Sequence, residues 1–488
     1  MREPSLRPLA RLAAASIALA VAGCAVGPNY EAPAVPLDPS FVNAASGQAQ
    51  PPGADIATFW RGFADPLLTS LVERALAANG DVRIASARLQ EARANLRGAD
   101  AELLPEIGVA AAAGRSLTPE FQLPGTSRSQ RTISSFDAAF TASWELDFFG
   151  RNRRASESAA ALLDASEAGL HAAQTAIAAE VARNYLELRG LQQRYVVAAD
   201  SLVNQRDTLR LTQARLDAGR GTRLDVVRSQ SQVDSTEAAL PVLQAAIDRA
   251  TYRLATLTAQ PPRVVSTQVA TPQLLPTLPV TDLSALPLGT PEQLLRRRPD
   301  LVVAERQLAA ATADIGVATA DLFPRVSLTG LIGFASNRVA DLGGRDSQHW
   351  SYGAGLSWPV LDFGRVRSRI AASEARAQQA LAGYEQTVGI ALEETEGALS
   401  QFTQSARQAE RLTSAARNAE EATRLSRLRF DAGVIDFVVV LDAQRQTLFA
   451  RDQLVQAQVA QATALVAIYR ALGGGWTDAA PVSEVARR

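Results

Sequence analysis

Catalytic and metal-binding sites draw on histidines, cysteines and converging carboxylates, and this 488-residue chain is poor in the first two. It holds two histidines, His171 and His349, far apart in sequence, and one cysteine, Cys24. No Gly-rich phosphate loop follows a strand-like run. The 50 acidic residues lie mostly at helix-surface spacing, where solvated faces and intrahelical pairs are the usual meaning. These residues argue against an enzyme, and no cofactor or metal is expected. A net charge of -1 with 6% aromatic residues offers no basic patch for nucleic acid. The charged residues with a pattern are those at two matching places, Arg215-Leu216-Asp217-Ala218-Gly219 and Arg429-Phe430-Asp431-Ala432-Gly433. Their meaning depends on the elements that carry them.

Cys24 has its own context. Arg2, Arg7 and Arg11 precede an apolar run from Leu12 to Ala22 that is too short to span a bilayer as a helix and ends in small residues. This reads as a cleaved targeting signal. Val21-Ala22-Gly23-Cys24 resembles a bacterial lipobox, which would make Cys24 the lipidated mature N-terminus and account for an unpaired cysteine in an exported chain. An ordinary signal peptide with an incidental cysteine is the alternative. Ala25 is not the aspartate that retains such lipoproteins in the inner membrane, so the resemblance implies the outer membrane.

The matching turns sit in long helical patterns. No proline occurs between Pro359 and Pro481, and Ala, Leu, Arg, Gln and Glu dominate. Gly433 stands where a glycine ends a helix, and Phe437 to Leu441 begins the return. At about 1.5 Å per residue the arm from Gly364 to Asp431 would reach roughly 100 Å. A second proline-free run, from Gly150 to Leu240, carries the other turn, and Gln230 and Gln232 there match Gln444 and Gln446. The chain is a tandem repeat.

Ahead of each hairpin the period changes from 3.6 to two. Phe136, Ala138, Phe140, Ala142, Trp144, Leu146 and Phe148 alternate with polar or small residues, as do Trp350, Tyr352, Ala354, Leu356 and Trp358. Weaker partners precede them at Ile107 to Ala113 and Val326 to Phe334. Each repeat offers a strand pair long enough to cross a bilayer, with tryptophans suited to the headgroup zone. Four strands cannot close a barrel, and an open edge cannot sit in lipid, so several chains would have to share one. A soluble half-buried sheet alternates identically and stays open on pattern alone.

The organisation expected is a signal at 1–23, an extended lead at 24–58, and a first repeat at 59–258 with strands at about 105–149 and a hairpin at about 150–258. A proline-rich belt at 259–291 follows, then a second repeat at 292–473 with strands at about 324–363 and a hairpin at about 364–473, and a tail at 474–488.

Four motifs in this order carry a resemblance: Cys24 with Gly27-Pro28-Asn29-Tyr30; Arg298-Pro299-Asp300-Leu301 with Ala304-Glu305; Ile315-Gly316 running to Phe323-Pro324; and Trp358-Pro359-Val360-Leu361-Asp362-Phe363-Gly364-Arg365. With Leu441-Asp442-Ala443-Gln444-Arg445 they resemble, over nearly the whole chain, outer-membrane factors of the TolC family, specifically the OprM/NodT group of efflux lipoproteins. The resemblance implies an α+β membrane protein: a homotrimer pooling its strands into one twelve-stranded β-barrel above a periplasmic α-helical coiled-coil tunnel. It implies a periplasmic adaptor, an inner-membrane RND-type pump and outer-membrane lipid as partners, with drugs or other small molecules as cargo. Arg429, Val438, Asp442 and Arg445 match the gate region, with Arg429 approaching from the opposite arm, and Gly219, Thr222, Asp225, Gly433 and Asp436 match adaptor-facing tips. Arg215-Leu216 departs from the aromatic that often follows the arginine, and Phe437 stands where tyrosine is common. Ordinary surface ion pairs at the tip, a passive coiled-coil spacer, and a channel for metal or protein export are the competing readings.

Overall fold

The computed structural model describes residues 25–43, 56–283, 286 and 288–476. The expected signal, the lipidation site Cys24 and the tail beyond Trp476 lie outside the described residues.

Two short helices open the first repeat, α1 (Pro66–Ala78) and α2 (Gly80–Ala101). Asp65 caps α1, accepting from the N–H groups of Leu67 at 2.8 Å and Leu68 at 3.0 Å, and Pro66 supplies the fixed φ of a first helical residue. Strands β1 (Glu106–Leu117) and β2 (Thr132–Leu146) follow, then helix α3 (Arg151–Asp217) and its return α4 (Arg223–Leu257). A connecting segment holds α5 (Pro262–Val269). The second repeat runs α6 (Pro291–Arg297), α7 (Pro299–Ala320), β3 (Arg325–Ser336), β4 (Gln348–Ser357), α8 (Arg365–Asp431) and α9 (Phe437–Ala471). Both outgoing helices have 67 residues and both returns have 35, so the repeats match without insertion along the hairpins.

Three details differ from the pattern-based reading. The alternation was read through Phe148, but β2 stops at Leu146 and Phe148 folds back, its N–H on the Leu146 carbonyl at 2.8 Å. The proline-free run ends at Leu240, yet α4 continues through an exposed Pro241. Burial of Val233 and Thr236 before it and of Leu254, Ala255 and Leu257 after it holds the helix together across the missing hydrogen bond. The proline-rich segment is not wholly extended: Pro262 occupies the first turn of α5, where its lacking N–H costs nothing, and Val265 and Val269 bury one face.

Contacts divide the chain into two compact units, each drawing on both repeats. The first takes the described residues up to Ala34, with Leu89–Ser166 and Val303–Tyr384. It contains the antiparallel sheet, in the order β1-β2-β3-β4. The residues after Cys24 are tied in here: Gly27, at φ +93°, lies so close to Gly316 that an added Cβ would stand 2.5 Å from its Cα. Arg154 passes the same point and donates to Val26 O at 3.1 Å and Asn29 Oδ1 at 2.7 Å. Two motif glycines are thus explained by one close crossing.

The second unit takes the described residues within Val35–Arg88 and Glu167–Val302 and those from Glu385 to Trp476. Its core includes Phe59, Trp60 and Phe63, with Phe59 stacked on Tyr469 at 5.1 Å. Buried Arg189 and Gln192 donate to Thr271 O at 3.0 Å and Val269 O at 2.7 Å, fastening the connecting segment to α3. Arg298, 6% exposed, grips Asp300 through two bonds of 3.0 and 2.7 Å and Glu394 through one of 2.7 Å. Burial of Asp300 opposes its ionisation, but the hydrogen bonds and charge of Arg298 outweigh that and hold the carboxyl below its usual range.

A carboxyl with a lowered folded-state pKa contributes stability that is complete above the unfolded value of about 4 and is lost as pH falls through the folded value. Asp300→Asn should therefore flatten the acid limb of the thermal-stability profile below about pH 4 while lowering stability at neutral pH. Parallel wild-type and variant curves would show that the pair contributes nothing to acid sensitivity.

Candidate functional site

Two places concentrate features that a folded core does not require: the turn ends of the hairpins and the faces of the sheet.

Both turns close with the same backbone bonds. The N–H of Arg220 reaches Arg215 O at 2.8 Å and that of Val434 reaches Arg429 O at 2.9 Å, with Gly219 and Gly433 at φ +69° and +73°. This six-to-one bond satisfies a terminal helix carbonyl and requires a left-handed residue, which glycine supplies without strain. The restarts differ. Thr222 and Asp225 form a reciprocal capping box on α4, whereas Asp436 precedes α9 without a side-chain cap. Instead Phe437 is buried and packs against Phe430 at 5.1 Å.

The tips meet through Arg215. Its guanidinium lies 4.0 Å from the Phe430 ring centroid and 3.6 Å from Asp431. Arg215 was not among the expected site residues. The signal for it was present in the doubled Arg-x-Asp-Ala-Gly turn, whose second copy supplies the aromatic and the acid that the first arginine uses. Deeper in, Thr208 on α3 gives its hydroxyl proton to Asn204 O at 2.8 Å and accepts from Arg427 at 2.9 Å and Gln444 at 3.0 Å. Because the single hydroxyl proton is committed, Gln444 must donate, which fixes its amide orientation. Thr208 and Gln444 are 4% and 6% exposed, and Gln444 and Arg427 line a cavity of about 420 Å³ together with Thr447 and Arg451. Gln444 was noted as a repeat marker and within the tip motif but not as a site residue; its counterpart Gln230 is exposed and donates to Asp234 within its own helix.

Of the expected gate residues, Asp442 and Arg445 pair at 2.7 Å on the exposed face of α9. Val438, one turn before Asp442, is 45% exposed. Arg429 is exposed and, among the described residues, forms no ion pair with Asp442, which pairs with Arg445 instead. Val438, Asp442, Arg445 and the 61% exposed Phe449 stand at spacings of four, three and four, an exposed seam along one helix face.

The sheet has a continuous apolar face. Val109 lies opposite Phe140, Phe140 opposite Ile332, and Ile332 opposite Trp350, so one row crosses all four strands. These residues are 71%, 61%, 53% and 65% exposed. The other face carries Asp137, Thr141, Ser143, Thr329, His349 and Ser351. Ala139 there is buried because Gly333 crosses it so closely that an added Cβ would stand 2.5 Å from its Cα. No helix among the described residues is long and apolar enough to cross a membrane.

The family described as Outer membrane efflux protein matches residues 71–260 and 290–474. The chain is 33% identical over 484 residues to Outer membrane protein OprJ of Pseudomonas aeruginosa, covering 98% of each protein. It is 35% identical over 426 residues to the Pyoverdine export outer membrane protein OpmQ of the same species, covering 87% of this chain and 88% of that one. Among solved structures, the outer-membrane channel OprN shares 40% identity and a TM-score of 0.85 over 93% of this chain and 100% of that one.

The Thr208 network yields a direct test. Thr208→Val should leave buried donors unpaired and lower unfolding stability by about 1 to 3 kcal/mol, while Thr208→Ser, which keeps the hydroxyl, should stay near wild type. Equal denaturation midpoints for the valine and serine variants would show that the hydroxyl is not holding Arg427 and Gln444.

Proposed function

This chain belongs to the outer membrane efflux protein family, and on that footing we propose that it is the exit channel of a tripartite, RND-type efflux system in the bacterial outer membrane. The observation that carries this is the exposed apolar row across a four-stranded sheet with open edges. Such a face suits lipid, and such edges do not, so copies of the chain must complete the wall. Three copies would give the twelve-stranded barrel of the family, with small molecules leaving through a helical tunnel below it. The chain itself performs no chemistry in this reading.

The finer assignments belong to the same proposal. The repeats at 59–258 and 292–473 are the two building units, with 24–58 as a lead anchored by lipid on Cys24, a point that the mass of the mature N-terminus decides. The hairpin tips, with Gly219, Thr222, Asp225, Gly433 and Asp436, face a periplasmic adaptor that links the channel to an inner-membrane pump. Arg429, Val438, Asp442 and Arg445 form the periplasmic gate. Supporting this is the exposed seam on α9, where an aspartate and an arginine follow an apolar residue on a face that stays exposed among the described residues. Around a threefold axis each residue becomes a ring, and like charges brought together need the neighbouring arginines to offset them.

Two measurements test the reading. Phe140→Arg should impair membrane insertion by about 2 to 4 kcal/mol if the residue lies near the midplane, while Thr141→Arg should insert normally. Equal damage from both would reject the proposed orientation of the sheet. Combining Arg429→Ala with Asp442→Ala should raise single-channel conductance in planar bilayers and increase antibiotic leakage, with the oligomer intact. Unchanged conductance of an intact oligomer would remove these residues from the gate.

A further inference from the structure

The cavity of about 420 Å³ between the hairpins carries groups that a helical hairpin does not need. It is walled by residues from Val197 to Gln205 on α3, Glu420 to Leu428 on α8 and Gln444 to Arg451 on α9, and its size falls within the roughly 300 to 1,000 Å³ of small-molecule sites.

Its charges do not balance. Three guanidiniums line it, those of Arg424, Arg427 and Arg451, with Glu420 as the one carboxylate in the lining. Arg451 pairs with Glu420, and Arg424 forks onto the neighbouring Glu421 through bonds of 2.8 and 2.7 Å. Half-buried Arg427 differs. It donates to Asn204 O at 3.3 Å and Thr208 Oγ1 at 2.9 Å, both uncharged, and among the described residues no carboxylate pairs with it. One positive charge is thus left over where water has limited access.

The cavity also holds acceptors without donors. Gln205 and Gln444, 2% and 6% exposed, give amide protons to Ser201 Oγ at 3.1 Å and Thr208 Oγ1 at 3.0 Å. Among the described residues neither carbonyl oxygen accepts a hydrogen bond. Folded chains leave few buried acceptors in that condition, because each forfeits its bonds to water. Val197, Leu428 and Leu448 add apolar wall.

The internal repeat shows that these groups are not a requirement of the hairpin. Aligning Arg151 with Arg365 and Arg223 with Phe437 puts Gln213 in the place of Arg427 and Gln230 in the place of Gln444. Both are exposed, and each donates to an aspartate of its own helix, Asp217 and Asp234. The pair of Glu420 with Arg451 does recur, as Arg206 with Glu237, with its charges exchanged. A hairpin of this length therefore forms without the spare cation and the buried acceptors, and the second hairpin alone gathers them against α3.

We propose that this cavity binds a small organic monoanion: a carboxylate on an apolar body that also carries a hydroxyl or amide donor. The carboxylate pairs with Arg427, the donor reaches the Gln205 oxygen, and the body packs on Val197, Leu428 and Leu448. Gln205 belongs to the first hairpin and Arg427 to the second, so the bound molecule bridges the two. Passage of cargo does not itself require such a site.

Isothermal titration of the full-length oligomer in lipid nanodiscs tests this, with 6-hydroxy-2-naphthoate and the smaller 4-hydroxybenzoate as probes. At least one should bind saturably, one molecule per chain, and more weakly as salt is added. For the probe that binds, the analogue without the hydroxyl and the phenol without the carboxylate should each bind at least tenfold more weakly. Arg427→Gln should weaken binding at least tenfold, Arg427→Lys should recover most of the loss, and Arg411→Gln, on α8 outside the cavity, should bind as wild type does. Should Arg427→Gln impair assembly, Gln205→Leu supplies the second reading: it should abolish the preference for the hydroxylated probe while leaving the affinity of the unhydroxylated carboxylate unchanged. No saturable binding of either probe, or binding that neither Arg427→Gln nor Gln205→Leu alters, overturns the site.

Discussion

An unpaired backbone N–H or C=O in hydrocarbon costs several kcal/mol, and a sheet edge presents a row of them. That constraint shapes this chain more than any single side chain does. Four strands are too few to close, so the two edges left by the order β1-β2-β3-β4 must be filled by other copies. A chain that must join itself to its copies needs only one kind of junction if its halves are alike.

The helices answer a different demand. Helices of 67 residues with no strong apolar stripe gain little from a single compact core, and alanine-rich packing must bring them close to bury what they have. The closeness is visible at Gly190 on α3, where an added Cβ would stand 2.1 Å from a methyl of Val459 on α9. Polar residues finish the work. Arg194 forks onto Asp452 at 2.6 and 3.2 Å, and Thr423 shares a hydrogen bond of 2.8 Å with Thr447. These bonds set axial register in a bundle whose small side chains would otherwise slide.

Much of this was legible because periodicity is a local property. The alternation of Phe140, Ala142 and Trp144 gives a strand, and the proline-free arms give helices, whatever surrounds them. The glycines of both turns could be read from their place after a helix end. What the residues could not show by themselves were meetings between distant segments: Arg215 over Phe430, Thr208 beneath Gln444, or Gly27 against Gly316. Spacing names the type of a residue's neighbourhood, but only the fold names the neighbour. The fold of the hairpin near Gly433 suggested Arg429 approaching Asp442, whereas the chain pairs Asp442 with Arg445 and leaves Arg429 exposed.

Equal lengths conceal unequal chemistry at the two tips. The first turn is self-sufficient, since Thr222 and Asp225 satisfy the first amides of α4 from within. The second lacks a side-chain cap, and its aromatic pair, Phe430 on Phe437, is covered by Arg215 from the first hairpin. Moving the second hairpin away would strip the cation from the Phe430 ring and the partner from Asp431, while the first tip would keep its capping box. The Arg215 contact is half exposed and so weak that solvent and salt can compete for it. A joint of that kind can break without unfolding either hairpin.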